Sequence, residues 1–427
     1  MNGGRSPSGS AALLAEVVDL AKPQVDVESV VEALLEQAAA GAPTDIGFPG
    51  ATDIDYSPLM KLFGRIFNNV GDPGTDPGSA AHTKVLERAV IDWCADLFGL
   101  PAGDRWGYVT AGGTEGNLAD LLAARRRYPN ALFYFSSAAH YSIPKIVVEM
   151  LGLPAVVVGV DARGEMDYTH LDALAWQHRH RAHSNGGRPA AVMIATAGTT
   201  MTEAVDDTAT INAIFEHHGI ARHVHVDAAL SGIPLALEGS LSLASGIDSV
   251  SFSGHKFLGT PVPCGGALMR DSIRRAGRHI DYTATPDTTV SGSRCGQAAA
   301  LLWYGIGKYG YAGHRERAVR AREVAAYTTA RLTEIGWPAW RHPHGFTVVL
   351  KTPPAAVTRK WLLAGGGPDG RWCHSVCVPG IVKAQMGAFV DDLAHAIAPS
   401  AGAIVPPQRA PLLAPTRLPA GPPSRYR

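Results

Sequence analysis

Four short stretches of this 427-residue chain set reactive side chains among small residues. SGHK places His255 and Lys256 after Ser253 and Gly254, between the apolar-leaning runs DSVSF and FLG. HVDAALSG places Asp227, Ala229 and Ser231 after the strand-like run HVHV. AAHYS puts His140 just past the apolar run ALFYFS. TAGGTEGN, residues 110 to 117, carries glycines into a helix-like segment. A lysine among apolar residues is costly unless something offsets its charge. Lys256 therefore needs a chemical reason.

The elements around these stretches supply their positions. HTKVLERAVIDWCADLFGL has apolar residues at helical spacing, WGYVT reads as a strand, and GGTEGNLADLLAARRRYP reads as a helix. ALFYFS, AVVVGV, PAAVMIAT, HVHVDAA, DSVSFSG and CGGALMR read as further strands. HYSIPKIVVEMLG, MDYTHLDALAWQHR and DDTATINAIFEHHG read as helices between them. Such alternation predicts a mostly parallel sheet covered on both faces. In an open sheet of this kind, ligands bind at the carboxyl ends of the strands. All four stretches fall at such ends.

Singly, each stretch has a plain structural explanation as a turn, a cap or a buried histidine. Their order carries the argument. A glycine-led helix N-terminus can hold a phosphate. An imidazole can stack on a ring, a carboxylate can pair with a pyridinium nitrogen, and an amine can form an imine. Those are the parts that pyridoxal 5'-phosphate requires.

With these motifs the sequence resembles the fold-type I, group II pyridoxal-phosphate amino acid decarboxylases, and among them the bacterial histidine decarboxylases. The likeness extends to IGFPGATDIDYSPL, FNNVGDP, RWGYVT, GIDSVSFSGHKFLGTPVPCGG, TTVSGSRCG and LLWYG, over roughly residues 45 to 395. FNNVGDP and LLWYGIGKYGY are also similar to plant-type serine decarboxylases. The resemblance implies a large domain with a seven-stranded sheet, a smaller C-terminal α/β domain, and a homodimer with its active site near the interface.

It also implies roles. Lys256 would carry the cofactor as an imine, Asp227 would pair with the ring nitrogen, and His140 would stack on the ring. Gly113, Thr114, Ser253 and His255 would hold the phosphate, with Thr200 nearby and Ala229 against the ring. Tyr282 matches a mobile-loop tyrosine that protonates the substrate carbon. Ser293, with Ser231, would line the side-chain pocket, where a hydroxyl can both donate to and accept from an imidazole. The chain departs from the usual pattern at Ala111, Ala139, Thr196 and Cys295.

The expected reaction is decarboxylation of an L-amino acid, with L-histidine to histamine foremost. L-serine or another small or branched amino acid is the alternative. The cofactor residues alone also admit transamination, aldol-type cleavage, or a non-catalytic protein that kept the fold.

Composition narrows the remaining classes. Formal net charge is zero, with 38 basic and 38 acidic residues, which favours neither nucleic acid nor an anionic membrane. The Arg125–Arg127 run reads as a solvated helix face. The five cysteines are too few and uneven for a disulfide framework and suit a reducing cytoplasm. Cys373 and Cys377 read as ordinary thiols, and His178, His180 and His183 as a helix end and loop rather than a metal site. No apolar run reaches the roughly eighteen residues a membrane span needs, and no signal peptide is evident at the N-terminus. The expected organisation is a flexible and helical segment over 1–44, a cofactor domain over 45–309, a small domain over 310–398 and a Pro-rich flexible tail over 399–427. No metal is expected.

Overall fold

The computed structural model describes residues 27–184, 187–366 and 370–398. The expected helix in AALLAEVVDL and the Pro-rich tail lie outside these residues, as does the side chain of His183.

The centre of the molecule is a seven-stranded sheet. Its strands are β1 (Trp106–Thr110), β2 (Leu132–Ser136), β3 (Ala155–Val158), β4 (Ala190–Thr196), β5 (Ala221–Asp227), β6 (Ser249–Ser253) and β7 (Gly265–Met269). Their spatial order is β1-β7-β6-β5-β4-β2-β3. Strands β3, β2, β4, β5 and β6 run parallel, and β7 is antiparallel to both its neighbours. The central strands are buried on both faces: β4 and β7 are continuous apolar runs, whereas β5 and β6 alternate apolar residues with buried His and Ser. Pairing sets Thr196 beside Asp227 and Asp227 beside Ser251, so the ends of β4, β5 and β6 present their side chains in one row.

Helices cover the sheet. Besides α1 (Val27–Gly41) and α2 (Lys84–Leu97), α3 (Gly113–Arg127) lies against β5, β6 and β7. That approach is close: a Cβ at Gly116 would sit 2.8 Å from the Ser251 Cβ and 3.0 Å from the Gly266 carbonyl oxygen. Then come α4 (Tyr168–Ser184), α5 (Thr208–His217) and α6 (Gly232–Leu237). Asp207 caps α5 by accepting from the Ala209 and Thr210 amides. HYSIPKIVVEMLG is not one regular helix: a single turn at Ser142–Pro144 passes into a π-helical stretch over Lys145–Met150. The QHRHRAH stretch stays helical, because α4 runs to Ser184.

Beyond β7, the short hairpin β8 (Arg278–Ile280) and β9 (Thr285–Asp287) precedes the long helix α7 (Gly296–Glu334). Helix α7 crosses the expected boundary at 309/310. It is interrupted at Gly310, whose φ of 55° and ψ of −167° are not helical. The C-terminal part holds a four-stranded antiparallel sheet, β10 (Ala339–Trp340), β11 (Thr347–Lys351), β12 (Ala364–Gly366) and β13 (Trp372–Val376), in the order β10-β11-β13-β12. Helices α8 (Ala355–Lys360) and α9 (Lys383–Ile397) complete it. One continuous apolar core links both sheets, from Val250 and Phe252 to Val348, Leu350 and Phe389. Among the described residues no helix is long and apolar enough to cross a membrane. All five cysteines are free thiols, and Cys373 and Cys377 are buried.

Candidate active site

The carboxyl ends of β4, β5 and β6 open into a cavity of about 1070 Å³. Its wall includes Gly113, Thr114, His140, Thr200, Asp227 and Ala229, and also Ser253, His255 and Lys256. The separate stretches singled out in the sequence therefore converge on one space.

Lys256 follows β6 by three residues, and its backbone oxygen accepts from the Ala51 amide. Burial pulls its amine below the ordinary lysine range, opposed by the nearby Asp227 charge. A lysine held this way reaches its neutral, nucleophilic form more readily. Asp227 ends β5 and is buried. Its Oδ1 accepts from the Ala229 amide at 3.2 Å and its Oδ2 from Asn117 Nδ2 at 3.1 Å.

His140 sits past β2, where its Nδ1 accepts from the Ser142 amide at 3.3 Å and lies 2.7 Å from the Ser142 hydroxyl. Burial lowers its pKa; Asp227 opposes this and Lys256 adds to it. The ring is thus a neutral imidazole with its proton on Nε2. His255 donates from Nδ1 to the Cys264 carbonyl at 3.2 Å, and burial lowers its pKa as well.

The N-terminus of α3 closes one end of the cavity. Gly112, with φ of 152°, turns the chain into the helix. The amides of Gly113 and Thr114 have no acceptor within the helix. A Cβ on Gly113 would lie 2.9 Å from Ser253 Oγ, so only glycine leaves this corner open. Glu115 braces the turn by accepting from the Ala111 amide at 2.7 Å and from Ser291 Oγ at 2.9 Å.

Three expected residues stand apart from the cavity in this chain. Ser231 does not line the cavity. It is buried, and its hydroxyl donates to Glu203 Oε1 at 2.7 Å, because the chain is already turning into α6. Ser293 is exposed and accepts from Asn68 Nδ2 at 3.1 Å. Tyr282, at the tip between β8 and β9, is 91% exposed.

Three residues not singled out from sequence join the site. Asn117 reaches Asp227 from α3. Glu115 supports the cavity's glycine turn. His374 lines the cavity from β13, with Nδ1 3.2 Å from the Met201 carbonyl and Nε2 3.2 Å from the Gly47 carbonyl. For Asn117 and Glu115 the signal was present in TEGN, inside a quoted motif. His374 carried no local signal. Among the described residues no cluster of side chains fits a metal ion.

The residues fit pyridoxal 5'-phosphate by their chemistry. The Gly113 corner is an open cradle lined by amide and hydroxyl donors, suited to a dianionic phosphate. A cavity-facing carboxylate and a depressed lysine stand on the same sheet edge. A fold-type I cofactor site is thereby defined.

Comparison with known proteins carries this to a family. Residues 68–336 match the pyridoxal-dependent decarboxylase conserved domain, and the chain belongs to that family. It is a pyridoxal-phosphate-dependent carboxy-lyase acting on an amino acid. A histidine decarboxylase of Mesorhizobium japonicum is 39% identical over 356 residues, spanning 82% of this chain and 93% of that one. One from Vibrio campbellii is 33% identical over 366 residues, spanning 84% and 92%. Among solved structures, L-methionine decarboxylase from Streptomyces sp. 590 is 25% identical with a TM-score of 0.75, covering 86% of this chain and 94% of that one.

Proposed function

We propose that this enzyme decarboxylates L-histidine to histamine. The observation that carries the reading is the meeting of Lys256, Asp227 and His140 on one cavity, in a chain whose relatives at 33–39% identity are histidine decarboxylases.

The bound cofactor supplies an electron sink for the pair released as carbon dioxide leaves. Lys256 would supply the amine that holds the cofactor's aldehyde. The first-turn amides of α3, with Ser253, His255 and Thr200, would receive its phosphate. His140 would pack its ring against the pyridine, as would Ala229. Asp227 would hold the proton at the ring nitrogen, and its two donors, from Ala229 and Asn117, fix the direction of its carboxyl group.

Tyr282 delivers the proton to the substrate carbon, and Ser293 contacts the substrate side chain. Both act in a homodimer at the site of the opposite subunit. Their exposure in the single chain supports this, as do the exposed apolar side chains Val31, Leu34, Leu35, Phe48 and Ile66. The five free thiols suit a cytoplasmic setting. Residues 45–309 and 310–398 act as a large and a small domain, with the break at Gly310 as their boundary.

The test is carbon dioxide release from histidine, serine, aromatic and branched-chain amino acids under steady-state conditions. Histidine should have the highest kcat/KM. No turnover of histidine, with turnover of serine or another amino acid, overturns the substrate assignment.

A further inference from the structure

Asp227 is one end of a line of buried hydrogen bonds running away from the cavity, between β5, β6 and α3. Asn117 donates from Nδ2 to Asp227 and receives His225 Nε2 on its Oδ1 at 2.8 Å, together with the Ser251 hydroxyl. On the far side of the imidazole, His225 Nδ1 lies 3.0 Å from Ser249 Oγ. That oxygen lies 3.0 Å from His223 Nε2. Every member is buried.

The proton positions follow by elimination. Asp227 only accepts, so Asn117 turns Nδ2 to it and Oδ1 to His225. An amide oxygen requires a donor, so His225 carries its proton on Nε2. Burial brings His225 down to about 3 and His223 down to about 4, so each ring holds one proton near neutral pH. His225 Nδ1 is then a bare acceptor and takes the Ser249 hydroxyl proton. Ser249 receives from His223 Nε2, and the unpartnered His223 Nδ1 is a lone pair rather than a buried N–H.

One further group faces this line. Asp120, on α3, lies 3.4 Å from His225 Nδ1 with both carboxyl oxygens buried and unbonded. Burial raises its pKa well above the usual carboxylate range. Burial thus favours its neutral form beside His225. Ser249 Oγ and the Asp120 carboxyl face His225 Nδ1, and the amide oxygen of Asn117 at Nε2 selects the Nε2 proton.

We propose that His225 is a positioning residue for Asp227: its Nε2 proton locks the Asn117 amide, and the locked amide holds Asp227 as a pure acceptor turned to the cavity. With the amide reversed, its oxygen would oppose the carboxylate, and Asp227 would lose one of its two donors. This rests on the reading of Asp227 as partner of the cofactor's ring nitrogen.

Two spectroscopic measurements test it. In apoenzyme carrying ¹⁵N-histidine, His225 should show a protonated Nε2 and a bare Nδ1; the reverse tautomer overturns the proposal. In holoenzyme carrying ¹⁵N-labelled cofactor, the ring-nitrogen proton should be visible in wild type and in His225→Gln, whose amide can still donate to Asn117. It should be lost in His225→Leu, with a roughly tenfold rise in half-saturating cofactor, the scale of one hydrogen bond to a charged group. A signal that survives in His225→Leu, or disappears equally in both variants, overturns the relay. A signal that survives in Asp227→Ala instead overturns the Asp227 reading itself.

Discussion

Removing the Glu203 carboxylate should destabilise the fold far more than an ordinary loop substitution. Glu203 sits in the loop after β4 that also carries Thr200, with a left-handed φ of 59°. Its Oε2 accepts from the backbone amides of Phe346 at 2.9 Å and Thr347 at 2.6 Å, and its Oε1 accepts from Ser231 Oγ at 2.7 Å. It therefore ties the cofactor loop to the first residue of β11, across the two sheets. In Glu203→Ala, two buried backbone amides lose their acceptor, at about 1–3 kcal/mol each. Alanine at φ of 59° keeps the backbone strain, so nothing offsets the loss. The expected cost is about 2–6 kcal/mol in denaturant unfolding of the apoenzyme. Glu203→Gln retains an acceptor oxygen for the amides and should cost less than half as much.

The pH response has a definite sign. Burial raises the Glu203 pKa above its ordinary value, against the Ser231 and Thr347 hydrogen bonds that lower it. The part of its contribution linked to proton binding is therefore full below pH 4.5, the ordinary value, and is lost as pH climbs through the raised folded value, while the accepted hydrogen bonds remain. Glu203→Gln should flatten that part of the stability profile. Unfolding of Glu203→Ala within about 0.5 kcal/mol of wild type, the range of an ordinary surface change, would refute the reasoning.

Asp227→Ala should keep the fold but lose roughly 10²–10³-fold in kcat, the usual scale for one lost electrostatic contact in a transition state; near-native turnover sinks its role. Tyr282→Phe should leave stability within about 0.5 kcal/mol, because the side chain is exposed, while kcat falls and KM holds. Equal kcat in that variant excludes Tyr282 as proton donor. Ser293→Gly should weaken selectivity for histidine over serine in kcat/KM; unchanged selectivity removes Ser293 from the side-chain pocket.

Strand-end chemistry was legible because the motif-bearing stretches fall at the carboxyl ends of β5 and β6, where the chain leaves the sheet beside the cavity. Lys256 and Asp227 were found that way. Ser231 was misread because position after Asp227 says nothing about direction: α6 begins there and aims the hydroxyl at Glu203. Glu203 and His374 were invisible because the backbone groups their side chains bind lie more than a hundred residues away in sequence. The C-terminal strands β10 and β12 have two and three residues, too few to show any alternation. The break within α7 at Gly310 lies inside a continuous helical pattern, so the sequence showed a change of organisation near residue 310 but not the interrupted helix that spans it.

Reduction of the cofactor-loaded enzyme with borohydride, followed by peptide mass mapping, tests the central assignment most directly. The account predicts loss of the visible absorption band, with the cofactor's mass fixed on the peptide that contains Lys256, and neither event in Lys256→Ala. Attachment at another lysine, or a band that survives in Lys256→Ala, would contradict it.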